Sequence, residues 1–326
     1  MILSVSRRTD IPAFYAEWFM ERLRQKYVLV RNPFNIHSIS RIPLTPENVD
    51  AIVFWTKNSK PIHKYLDEID ELGYKYYFQY TITPYKNDLE ENLPNKEDEE
   101  KVQDKKEIVE TFKNLSSKIG SEKVILRYDP VILSDNYTID FHKKAFARLC
   151  DLLAPYTKKI IFSFLDDYKK ISKNIKQLNI KEISEEDMYI IAENFSSIAK
   201  DNGLIIESCA EQIDLERFGI NHGKCIDDEL IEKITGYKIS AGKDNQRNAC
   251  GCIKCIDIGE YNTCMHKCLY CYANINKDAA FKNYKLHDKN SPLLIGHVDE
   301  IKDKITDRNI KDTKSYKKEN TIENFI

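Results

Sequence analysis

The 326-residue chain has no hydrophobic run long enough to span a bilayer. Its first residues, MILSVSRRTD, carry neither an extended apolar h-region nor a cleavage-site pattern, so the expectation is a cytoplasmic protein. An excess of either charge is also missing. Lys and Arg number 50 against 52 Asp and Glu, a formal net charge of −2, which gives no footprint for nucleic acid or an anionic membrane. No internal repeat and no Pro/Gly/Ser-rich linker divides the chain, which argues against two separate domains. No Gly-rich dinucleotide fingerprint follows the first apolar run, and that weakens a doubly wound nucleotide-binding sheet.

What is present is a soluble, globular composition, 42% hydrophobic and 31% charged, in which short apolar runs alternate with helix-like segments. Candidate strands are Ile2–Arg7, Ala51–Thr56, Tyr76–Ile82, Val124–Tyr128, Ile160–Leu165 and Leu204–Ser208, each compact and apolar as strands buried on both faces should be. Candidate helices cover Pro12–Gln25, Pro61–Leu72, Glu99–Lys118, Phe141–Leu153 and Glu185–Lys200, with Asp10 and Ser184 as N-caps. Cys150 falls within the apolar period of its helix and reads as an ordinary buried thiol. Tyr27–Leu44 reads as an inserted antiparallel hairpin and Lys86–Lys106 as a solvated, charged loop leading into a helix. The charged tail, 299–326, reads as a peripheral helix with a frayed end.

About six β-then-α units imply parallel strands joined by right-handed crossovers. The expected fold class is therefore α/β: a partial or closed parallel (β/α) barrel, TIM-like, over 1–248. A cysteine-rich segment, 249–298, would pack on the same domain as a loop over the barrel mouth. In such barrels the active site forms at the carboxyl ends of the strands. Those ends are repeatedly polar here, and Arg7, Lys57, Arg127, Asp129 and Glu207 are the candidates to line a site. Ser163, Asp166, Asp167 and Glu211 also lie at strand ends, where helix capping accounts for Asp166 and Glu211 can equally start a helix.

Six of the nine cysteines fall between Cys250 and Cys271. In a reducing compartment, clustered thiols point to a metal rather than to disulfides. Cys264, Cys268 and Cys271 have the spacing C-x-x-x-C-x-x-C, and three thiolates from one loop leave one iron of a [4Fe–4S] cluster open to a ligand. The alternative metal is zinc, on the two C-x-x-C pairs Cys252/Cys255 and Cys268/Cys271. A second metal site drawn from Cys250, Cys252, Cys255, Cys209 and Cys225 is also considered. His266, inside the triad, reads as a loop residue.

The triad resembles the signature of radical S-adenosylmethionine enzymes, and Tyr270 matches the aromatic residue common before the third cysteine. That resemblance implies cofactor binding near Tyr270 and Arg127, reductive cleavage of S-adenosylmethionine, and an electron donor such as a flavodoxin or ferredoxin. Two departures stand beside it. The motif follows the sixth strand instead of the first, and no Gly-Gly-Glu element is found. A late strand equivalent to the usual first one, or a loop folded back over the mouth, would reconcile the order. Arg127-Tyr-Asp129-Pro130 is similar to a short element of spore-photoproduct-lyase-like members. The stretches SVSRRTDIPAFY, LVRNPFN, IVFWTKN, RYDPV and DIGEYNTCMHKCLYCYAN resemble a bacterial family, domain of unknown function 1848, across residues 4–274. The family resemblance implies the cysteine cluster and the fold and names no substrate.

Overall fold

The computed structural model describes residues 1–86, 88–90, 104–165, 179–244, 249–274, 276–309 and 313–316. Thirteen strands are numbered here in chain order: β1 (Ile2–Val5), β2 (Tyr27–Asn32), β3 (Asn35–Pro43), β4 (Ala51–Thr56), β5 (Tyr76–Thr81), β6 (Val124–Val131), β7 (Lys159–Phe164), β8 (Ile205–Ser208), β9 (Asn221–His222), β10 (Lys238–Ala241), β11 (Ile256–Asp257), β12 (Lys304–Asp307) and β13 (Thr313–Tyr316). Eight of them form one sheet in the order β11-β1-β4-β5-β6-β7-β8-β9, and every pairing in it is parallel. The six expected strands are its centre. Two-residue strands extend it at each edge, too short to leave a periodic signal in sequence. Among the described strands no pairing joins β9 to β11, so the hydrogen-bonded sheet has two edges.

Residue parity divides the sheet into two chemically different faces. Leu3, Val5, Ile52, Phe54, Phe78, Tyr80, Leu126, Tyr128, Ile160 and Phe162 share the main core with the helices. Helices Ile139–Leu153 and Glu185–Asp201 meet there through Phe146 and Phe195, whose rings stack at 3.9 Å. On the other face, Ile2, Val53, Tyr77, Ile125 and Ile161 join Cys225, Ile226, Cys252 and Ile253 in a second apolar cluster. Five adjacent strands thus place side chains against two late stretches of chain, 225–226 and 252–253. Further along the same face, toward the carboxyl ends, the parity continues as Trp55, Gln79, Arg127 and Ser163.

The cysteine-rich segment is part of this sheet, because β11 pairs with β1 through Leu3↔Ile256 and Ser4↔Asp257. Beyond β11 the chain passes Ser6 closely. A Cβ at Gly259 would stand 2.1 Å from Ser6 Oγ and 2.7 Å from Ser6 Cβ, so a side chain there forces a displacement. Asp257 fixes this exit, accepting from Ser4 Oγ (2.8 Å), Ser6 Oγ (2.6 Å) and the Arg7 amide (2.7 Å).

Several elements differ from expectation. The first helix is two, Ile11–Phe14 and Ala16–Gln25, broken at Tyr15. The segment after β4 begins as a 3-10 turn, Lys60–Tyr65, before helix Leu66–Glu71. The hairpin is formed by β2 and β3. The tail corrects the peripheral-helix expectation: β12 pairs parallel with β3, and β13 pairs antiparallel with β10. An exposed edge strand offers unpaired backbone groups, which outweigh a weak helical pattern in a short charged segment. Most of the expected charged loop, like Asp166 and Asp167, lies outside the described residues. No described helix is long and apolar enough to cross a membrane.

Candidate metal centre at the strand ends

A cavity of about 280 Å³ opens at the carboxyl ends of β1, β4, β6 and β7. Its lining includes Arg7, Lys57, Arg127 and Asp129 from strand ends, and Cys264, Cys268, Cys271 and Tyr270 from the loop after β11. Four of the five strand-end candidates therefore share one space with all three triad thiols and Tyr270. Among the described residues, no group of three or more His, Cys, Asp or Glu side chains stands ready to hold a metal ion.

The loop carrying the triad is closed at its base, where the Asn262 amide donates to the Ala273 carbonyl (2.8 Å). Contacts with the segments that follow β1 and β5 then hold it in place. His266 Nε2 lies 2.7 Å from Asp10 Oδ2, the Tyr272 hydroxyl donates to the Arg7 carbonyl (3.0 Å), and Cys268 forms an isolated antiparallel bridge with Glu90. Asp10 also caps the helix at Ile11 by accepting from Ala13 N (2.9 Å), and accepts from Lys57 N (2.7 Å) and Thr56 Oγ1 (3.1 Å). One carboxylate thus joins the ends of β1 and β4 to the cysteine loop. His266 is a tether rather than a plain loop residue.

Lys57 and Glu90 form the most enclosed ion pair of the site, Nζ to Oε1 at 2.6 Å. Lys105 reaches the other oxygen, Oε2, at 2.6 Å. Burial opposes the charge on Glu90, but the two ammonium groups outweigh it and hold the carboxyl far below its ordinary range. The Tyr270 hydroxyl and Thr83 Oγ1 bond the same carboxylate. Lys57 Nζ also lies 5.8 Å from the Tyr270 ring centroid. Burial pushes the Cys268 thiol up to about 12, opposed by the nearby Lys57 ammonium and reinforced by Glu90. Burial raises Cys264 and Cys271 as well.

The two arginines flank Trp55, with guanidinium carbons 5.9 Å (Arg7) and 5.3 Å (Arg127) from its ring. Arg7 Nη2 pairs with Asp244 (2.7 Å) and contacts Cys255 Sγ (2.9 Å). Arg127 pairs with Asp129 and donates from Nη1 to Cys225 Sγ (2.8 Å). Asp129 in turn accepts from Ser163 Oγ. All three candidate cations are therefore engaged by carboxylates.

Glu207 stands apart from this group. Its carboxylate pairs with Lys159 (2.8 Å) and it is absent from the cavity lining. Glu211 accepts from the Phe164 amide (2.8 Å) and starts no helix. Of the second cysteine group, Cys209, Cys225, Cys250 and Cys252 line the cavity, while Cys255 lies against Arg7 outside the lining. The four sulfurs of the zinc alternative, Cys252, Cys255, Cys268 and Cys271, therefore do not share one lining. Sequence reasoning missed Glu90, Trp55 and Asp257. Glu90 is hidden in an acidic run, whereas Trp55 shares the inward parity of Val53 and was recoverable from it.

Fold and cavity together define an α/β protein whose parallel sheet ends in a thiol- and arginine-lined pocket. The family model described as domain of unknown function (DUF1848) matches residues 2–273, and the chain belongs to that family. Comparisons with curated proteins and with solved structures found no match.

Proposed function

We propose that the protein is an iron–sulfur enzyme of radical S-adenosylmethionine type, acting in the cytoplasm on a substrate that enters the cavity. The observation that carries this reading is the shared lining: Cys264, Cys268 and Cys271 from one loop face the same space as Arg7, Lys57 and Arg127. The donor set fits a [4Fe–4S] cluster chemically, since three soft thiols come from one loop and a cation, Lys57, lies beside Cys268. The eight-stranded sheet is then read as a partial barrel with the cysteine loop over its mouth. Strand order supports this too. Although last in chain order among the strands of this sheet, β11 sits beside β1 at the sheet edge, so the motif does follow a parallel strand, in permuted order.

When bound, such a cluster would supply single electrons for reductive cleavage of S-adenosylmethionine to a 5′-deoxyadenosyl radical, drawing them from a flavodoxin- or ferredoxin-type donor. The chain's own residues have separate tasks. Lys57 offsets thiolate charge at Cys268, and Glu90 holds Lys57 in place through a bond no longer than 2.6 Å. Tyr270 braces the same carboxylate and closes the wall behind the loop. Arg7 and Arg127, flanking Trp55 and paired with Asp244 and Asp129, line the cavity and would present N–H donors to anionic groups of the cofactor or substrate.

A second reading is a non-catalytic metal staple, zinc or iron–sulfur, that fastens the C-terminal segment to the sheet. The carboxylate partners of Arg7, Lys57 and Arg127 favour it, because they already satisfy those cations. Anaerobic incubation of the reduced, reconstituted protein with S-adenosylmethionine separates the two. Formation of 5′-deoxyadenosine, abolished by Cys268→Ala, supports the enzyme; a loaded protein that forms none supports the staple.

A further inference from the structure

We propose that Cys209, Cys225, Cys250 and Cys252 form a second metal site, a mononuclear tetrathiolate for a zinc-class divalent ion. It uses none of the triad and stands or falls independently of the radical reading. The four thiols come from the end of β8, the turn after β9 and the segment before β11, three separate places in the chain. Cys209 Sγ lies 3.2 Å from Cys225 Sγ, Cys252 Sγ accepts from the amide of Ile226 beside Cys225, and Cys250, two residues from Cys252, lines the same cavity.

Sulfur-to-sulfur contact discriminates between metals. A zinc–sulfur bond of about 2.3 Å gives a tetrahedron whose sulfurs are about 3.8 Å apart. A cubane attaches each thiolate to a different iron and spreads the sulfurs beyond contact. The 3.2 Å separation is also well outside the S–S bond of about 2.05 Å in a disulfide. The Cys209–Cys225 spacing therefore matches one ion, and loading would draw Cys250 and Cys252 in to complete a tetrahedron around it.

The surroundings suit the charge that results. Four thiols binding a divalent ion release four protons and leave two negative charges on the site. Arg127 Nη1 donates to Cys225 Sγ at 2.8 Å and the Ile226 amide donates to Cys252 Sγ at 3.4 Å. N–H donors to ligand sulfur orient the ligands and spread their charge. The backbone permits the approach: a Cβ at Gly251, between Cys250 and Cys252, would stand 3.1 Å from Lys224 Cγ and 3.3 Å from the Gly223 carbonyl. Cys255 is excluded from the set because it lies against Arg7.

Alkylation mapping of the full-length wild-type chain is the direct test. With zinc bound, Cys209 and Cys250, the two half-buried members, should resist alkylation, and removal of zinc by a chelator should expose both while leaving Cys255 unchanged. Cobalt(II) added to the zinc-free chain should give thiolate charge-transfer bands and tetrahedral d–d absorption. Cys209→Ser and Cys225→Ser should each lose about one zinc per chain without lowering iron content, and Cys264→Ala should do the reverse. Alkylation of Cys209 and Cys250 that ignores the chelator, a cobalt spectrum without thiolate bands, or a Cys209–Cys225 disulfide in the freshly reduced protein would each overturn the site. Because zinc, cobalt and alkylation are read without iron, failure of the triad to load iron leaves this test intact.

Discussion

Asp10 Oδ2 lies 2.7 Å from His266 Nε2, so the residue that caps the first helix also anchors the cysteine loop. Asp10→Ala removes the cap and the bonds to Thr56 Oγ1 and Lys57 N together. A lost cap costs about 1 kcal/mol, and the orphaned buried donors bring the total to about 2–3 kcal/mol. Urea unfolding should report that loss. His266→Ala should cost less and speed alkylation of Cys264, because only the loop tether is cut.

The carboxylate shared by Lys57 and Lys105 sets an acid limb. Glu90 is held below its unfolded value, so its contribution is fully present above the ordinary carboxylate pKa and fades as pH falls through the lower folded value. Glu90→Gln should therefore destabilise the protein at neutral pH, where it leaves two enclosed ammonium groups without their counter-charge. The penalty should shrink in strong acid. Unfolding midpoints across pH 2 to 7 check this, and a penalty independent of pH would contradict it.

His142 gives a second, separate pH signature. It is fully buried between the Tyr128 hydroxyl (2.8 Å from Nδ1) and the Ile132 carbonyl (2.8 Å from Nε2), and burial lowers its pKa to about 4. The unfolded state then binds the proton more readily, so stability is lost as pH falls from about 6.5 toward 4, by up to about 3 kcal/mol. His142→Gln should flatten that slope by about one proton in stability measurements over the same range.

The close approach at the exit of β11 is testable by paired substitution. Gly259→Ala places a Cβ 2.1 Å from Ser6 Oγ, and overpacking of this kind costs about 1–3 kcal/mol. Ser6→Gly removes both clashing atoms but also the bond to Asp257 (2.6 Å). In a thermodynamic cycle the double variant should be more stable than the sum of the two losses.

Legibility in the sequence followed the physics of each element. The six central strands were readable because runs such as AIVFW at 51–55 are buried on both faces and stay apolar throughout. The edge strands β9 and β11 were not, since two residues carry no period and are set by their neighbours. At the site, Arg7, Lys57, Arg127, Asp129 and the triad were named from strand-end position and spacing, and they do line one cavity. Glu207 was named by the same rule, and the register Arg127↔Ile161↔Glu207 puts it on the same face, but its carboxylate pairs with Lys159 instead of lining the cavity. Glu90 was illegible because its burial depends on two lysines and a tyrosine distant in the chain.

Iron and sulfide analysis of anaerobically reconstituted wild type beside Cys264→Ala, Cys268→Ala and Cys271→Ala tests the central claim most directly. The account predicts about four irons and four sulfides per wild-type chain, a reduced-state EPR signal that changes with S-adenosylmethionine, and loss of both in each triad variant. Iron and sulfide retained in all three variants, or a wild-type chain that takes up no sulfide, would contradict it.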